Sequence, residues 1–157
     1  MNPQPNIRIL EDARQQMNGF LGQLATASPS EQARLAKDLH PQPADYASVF
    51  LPAAAPTMQA HFERLFAQDP VPRPKPGQDQ VRLSVALAGM LRERSPISQP
   101  FPGGYQRVAP FLMPLVPWAT WSFHSGDPTR GMRFDGLVAI EDRLIWLPRP
   151  YRLLKRN

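Results

Sequence analysis

Apolar positions recur at helical spacing through the first half of the chain and at strand spacing through the second. Leu10, Ala13, Met17, Phe20 or Leu21, and Leu24 lie three and four apart, so they share one stripe and predict an amphipathic helix over 6–26. Gly19 and Gly22 weaken it, each by roughly 1 kcal/mol relative to alanine, and as small residues they would let another helix approach. Ser28-Pro29-Ser30-Glu31 is a start signal for a second helix. Ser28 can cap, Pro29 suits the first helical position, and Glu31 can reach back to the Ser28 amide. Leu35 and Leu39 supply its core side, and it ends before Pro41. Short turns follow around Tyr46, Val49 and Phe50, and a fourth helix over 54–68 puts Met58, Phe62, Leu65 and Phe66 on one face.

Proline at every second position over 69–80 predicts a stiff, extended connector without internal hydrogen bonds. Beyond it, Val81, Leu83, Val85 and Leu87 alternate with Arg82, Ser84 and Ala86, as in a strand. A helical turn over 88–94, a loop over 95–105 and a strand over 118–124 come next. The run 131–147 reads as a hairpin. Phe134, Gly136, Val138 and Ile140 fall on one face of its first strand and Asp135, Leu137 and Ala139 on the other, as in a half-buried strand. Glu141-Asp142-Arg143 makes the turn, although the Asn-Gly or Asp-Gly pair of a strong hairpin signal is absent. Pro148 and Pro150 stop the second strand, because neither can donate a ladder hydrogen bond.

Four helical pieces that come before any convincing strand argue against alternating βαβ topology. The expected fold is α+β: N-terminal helices packed on a curved antiparallel sheet, a cystatin-like cone in outline. One domain spans 1–157, with a helical part over 6–68, a proline-rich connector over 69–80 and a mainly β part over 81–152.

The 20 prolines are more than twice the usual share of about 5% and keep the regular elements short. With no cysteine, disulfides, thiol catalysis and cysteine-ligated metals are excluded. The start of the chain shows no apolar run behind a basic region, and prolines break the apolar stretch around 111–121. These features predict a soluble, cytoplasmic protein.

The net charge of +5 sits in the second half: 1–69 balance at −2 and 70–157 at +7. Fifteen of the eighteen cations are arginine, the side chain suited to planar, bidentate contact with carboxylate or phosphate. A GC-rich genome produces the same arginine bias without any functional meaning.

Candidate chemistry is sparse. His124, Ser125, Asp127 and Asp135 could form a nucleophile–base arrangement, but Ser-Gly-Asp-Pro is also the composition of a turn, and the serine lacks the Gly-x-Ser-x-Gly context. His40, His61 and His124 are too scattered to predict a metal site, and no cofactor motif is present. Arg130, Arg133, Arg143, Arg149, Arg152, Lys155 and Arg156 interleave with Trp146 and Tyr151, a mixture that can serve single-stranded nucleic acid.

Phe134-Asp135-Gly136-Leu137-Val138, followed by Trp146-x-Pro148-x-Pro150-Tyr151-Arg152, resembles the ending of small uncharacterised bacterial proteins with helices first and a curved sheet last. Those proteins usually close on Lys-Pro-Trp-Arg where Arg149-Pro150-Tyr151-Arg152 stands here. The resemblance spans about a third of the chain, implies the fold and carries no activity.

The reading that follows is a non-enzymatic bacterial interaction protein, of the immunity or accessory-factor type. It would bind an acidic protein partner through Arg143, Arg149, Tyr151, Arg152 and Arg156. The alternative is a small-molecule binder or hydrolase on the concave sheet face, with His124, Asp127 and Asp135 at its mouth. Nucleic-acid binding is the third.

Overall fold

The computed structural model describes residues 3–126 and 131–154, with the side chains of 3–5 set aside. Four helices come first: α1 (Pro3–Thr26), α2 (Pro29–Lys37), α3 (Asp45–Val49) and α4 (Ala55–Phe66). A short α5 (Tyr105–Val108) falls between the first two strands, β1 (Gln80–Leu87) and β2 (Pro117–His124). β3 (Gly131–Ile140) and β4 (Arg143–Trp146) complete an open antiparallel sheet in the order β1-β2-β3-β4. The fold is therefore α+β with its helices N-terminal, as the hydrophobic periodicity predicts.

The stripe of α1 is buried as Ala13, Met17, Leu21 and Leu24, with Phe20 only half-covered. Its two glycines face open space, so the close helix approach they would permit is not made. Ser28 caps α2 by accepting the Glu31 N–H at 3.3 Å, but the Glu31 carboxylate pairs with Arg34 instead of reaching back to the Ser28 amide. The connector is fastened rather than free. Pro72 and Pro74 are buried, and Arg73 Nη1 donates to Pro29 O at 3.1 Å and Gln32 Oε1 at 2.8 Å. It also carries internal bonds, Arg73 N–H to Val71 O at 2.9 Å and Gln78 N–H to Lys75 O at 3.0 Å, so it is not a pure polyproline strap.

One sheet face carries Val81, Leu83, Val85, Trp121, Phe123, Phe134 and Leu137 in register, and α1 packs along it. On the opposite face α5 and its flanking loops cover the Trp118 end and bury Phe101, Tyr105, Val108 and Leu112. Tyr105 meets the Trp118 ring edge-on with centroids 5.8 Å apart. At the other end of this face Arg82, Ser122 and Arg133 lie side by side across three strands, with both arginines exposed.

The expected division of faces in β3 is corrected by a bulge. Ala119 pairs with Leu137 but Thr120 with Asp135, which leaves Gly136 as the extra residue, at φ 90°. One inserted residue inverts the alternation beyond it. Phe134 thus joins Leu137 and Ala139, whereas Asp135 joins Val138 and Ile140.

The edge of β4 is covered by the helical part. Trp146 N–H donates to Leu39 O at 3.0 Å, and Arg143 forms an ion pair with buried Asp45. Among the described residues no helix is long and apolar enough to cross a membrane.

Candidate functional site

The two C-terminal segments singled out in the sequence are one physical unit. Gly136 has no Cβ, and the Leu147 peptide occupies that space: a Cβ would lie 2.6 Å from Leu147 C and 2.8 Å from Pro148 Cα. Across the gap, Leu147 N–H donates to Gly136 O at 2.7 Å, and Trp146 Nε1 donates to Asp135 O at 2.9 Å. The Asp135 carboxylate then gathers what remains. Its Oδ1 accepts the Tyr105 hydroxyl at 2.6 Å and the Arg149 N–H at 2.9 Å. Arg149 is held at φ 51°, a conformation costly for a residue with a side chain, and the Asp135 bond helps to keep it there. Tyr151 lies against Gly104, where a Cβ would overlap its ring, and meets Tyr105 at 5.5 Å. Pro150 is buried while Arg149 and Arg152 remain exposed.

This junction forms one wall of a cleft of about 370 Å³. His61 and Leu65 of α4 and Pro70 form the facing wall, Phe134 and Trp146 provide an apolar floor, and Arg133, Arg149 and Arg152 stand around it. None of the three arginines forms an ion pair among the described residues. His61 is driven toward its neutral form by burial and by Arg64, so the positive charge of the cleft at neutral pH comes from the guanidiniums. A larger hollow, about 640 Å³, lies among Arg94, Ser98, Phe101 and Gln106, and a single arginine lines it.

Of the residues expected to bind, the cleft thus includes Arg149 and Arg152, with Tyr151 packed behind them. Arg143 is placed elsewhere. It lies at the far end of β4, where its guanidinium is engaged by Asp45, whose carboxylate also accepts the Gln42 N–H at 2.7 Å. Arg156 lies outside the described residues. Among the catalytic candidates, Asp127 also lies outside them. His124 and Asp135 do share a sheet face, but His124 is opposite Gly131, four residues along β3 from Asp135. At ~3.3 Å per residue that separates them by roughly 13 Å. His124 is buried with Nδ1 unbonded, and Asp135 is committed to Tyr105 and Arg149, so the two do not form a dyad. Among the described residues no group of three His, Asp or Glu could hold a metal.

Sequence reasoning did not place His61, Leu65 and Pro70 at this site, and it counted Arg133 only within the general basic run. Nothing local marks them. They meet the tail because α4 packs beside the C-terminal turn Pro150–Leu153.

All three tyrosines resist ionisation. Tyr46 is pushed up to about 12 by burial, with Glu63 and Asp45 adding to it. Tyr105 is raised well above its usual range by burial and then by Asp135. Tyr151 is raised by burial and Asp135, against the opposing pull of Arg149, Arg152 and Arg107. A group that holds its proton more tightly when folded supports the fold fully below its unfolded pKa, here 10.0, and less as pH rises above it. Stability should therefore fall as the pH is raised above 10, and phenolate absorbance should appear together with unfolding. A phenolate signal with a midpoint at pH 10 in a chain still folded by circular dichroism would contradict these environments.

The sequence matches no protein-family model, no curated protein and no solved structure.

Proposed function

We propose that this protein is a non-enzymatic interaction protein, of the immunity or accessory-factor kind, that binds an acidic protein partner through the cleft between α4 and the C-terminal tail. The observation that carries this reading is the convergence of Arg133, Arg149 and Arg152, none ion-paired among the described residues, on a cleft floored by Phe134 and Trp146. Guanidinium groups that form no ion pair among the described residues are available for bidentate contact with carboxylates. Aromatic side chains beneath them add the apolar area from which binding hot spots are made. The Asp135–Arg149 and Tyr105–Asp135 bonds fix the backbone of the tail in advance, which reduces the ordering cost of association.

The test is reversal of charge at two exposed positions. Arg149→Glu with Arg152→Glu should leave the fold intact and weaken retention of the partner by at least about tenfold, since a close charge pair across an interface is worth about 1.5 kcal/mol or more in favourable cases. Retention of the same protein at the same salt by the reversed bait would defeat the proposal.

A further inference from the structure

β3 is longer than the strand beside it. It runs for ten residues, whereas β4 runs for four and pairs only with Leu137 to Ile140. After Trp146 the chain makes one more bond, Leu147 N–H to Gly136 O, and then leaves the sheet: Pro148 has no N–H, and the Arg149 N–H turns to the Asp135 side chain. The lane beside residues 131–134 is therefore empty of strand among the described residues, and it opens into the cleft. Thr120 Oγ1 donates to Phe134 O at 2.9 Å, so that carbonyl points toward β2. Backbone groups alternate along an antiparallel strand, which turns the N–H and C=O of Arg133 into the lane. An unpaired edge of this kind is a template for another strand.

We infer that the acidic partner enters the cleft as an extended segment, added to the edge of β3 over residues 131–134 in the lane that β4 vacates. The inference rests on the reading proposed above and specifies its partner. Four residues of added strand span about 14 Å. Side chains on the face shared with Phe134 would meet Phe134, Trp146 and Leu65; those on the face shared with Arg133 would meet guanidinium groups. The segment should therefore alternate apolar and acidic residues. Main-chain hydrogen bonds would supply affinity, and the alternating contacts would supply selectivity.

The test uses a synthetic, end-capped hexapeptide of alternating valine and glutamate, with binding followed by Trp fluorescence and amide hydrogen exchange. Two further peptides are N-methylated at one or the other set of alternate backbone amides, which removes donors without changing charge. The alternating peptide should bind and slow exchange of the Arg133 amide. One of the two methylated peptides should bind at least about tenfold more weakly, as expected from losing the two backbone hydrogen bonds that the Gly131 and Arg133 carbonyls would accept. Equal binding by all three peptides would overturn strand addition; if that binding is still lost on Arg149→Glu with Arg152→Glu, the acidic-partner reading stands without it. No binding of the alternating peptide at millimolar concentration would also overturn strand addition, and the charge-reversal experiment would still judge the wider reading.

Discussion

Gly136→Ala is expected to lower stability by roughly 4 kcal/mol or to prevent folding, a size reserved for single changes that collide with fixed backbone. Two costs combine. The residue sits at φ 90°, where an L side chain is strained by about 1–3 kcal/mol. The added methyl would also fall 2.6 Å from Leu147 C and 2.8 Å from Pro148 Cα, atoms that cannot rotate aside. Relief requires the chain at Leu147 and Pro148 to move outward, which breaks the 2.7 Å bond from Leu147 N–H to Gly136 O and pulls the tail from the cleft. Urea denaturation measures this directly. A loss below about 1 kcal/mol would mean that the bulge is not built as described.

Asp135→Ala should cost about 3 kcal/mol, because it strands two donors rather than removing a surface charge. The Tyr105 hydroxyl is buried beneath the loop and would lose its acceptor, and the Arg149 N–H would lose the bond that helps to hold φ 51°. Leaving a buried donor unsatisfied costs about 1–3 kcal/mol each. Asp135→Asn keeps an oxygen that can accept both bonds and should cost about 1 kcal/mol. Comparing the two by chemical denaturation separates the roles of charge and geometry. Equal losses would show that the negative charge, not the acceptor position, matters at this junction.

The helices were legible in the sequence because their signals are local. The α1 stripe, the Ser28 cap and the apolar face of α4 each follow from residues three or four apart, and the prolines at 148 and 150 correctly end the sheet. α5 was not legible: four residues are little more than a turn and show no period. The bulge at Gly136 was hidden for a different reason. Strict alternation is the natural reading of an apolar strand, and a glycine within it is compatible with either a regular or a bulged pairing.

The site was legible only in part. Arg149, Tyr151 and Arg152 stand out because a proline-stiffened basic tail is unusual in composition. Arg143 looked equivalent, yet its partner Asp45 lies ninety-eight residues away, and no local pattern discloses that pairing. Asp135 attracted notice as a carboxylate near a histidine. Its place in the fold depends on Tyr105, thirty residues earlier, and on a tail that returns to it. The opposite wall of the cleft, His61 and Leu65, is brought in by tertiary packing alone.

The central claim is that the acidic partner sits between α4 and the basic tail. It is tested most directly by placing a photo-crosslinking amino acid at Leu65, in the cleft, and separately at Phe111, an exposed apolar residue outside it. The protein retained by the native chain should crosslink from position 65 and not from 111, and the crosslink should vanish with Arg149→Glu and Arg152→Glu. Crosslinking of that protein from position 111 alone, or from position 65 with undiminished yield after charge reversal, would contradict the account.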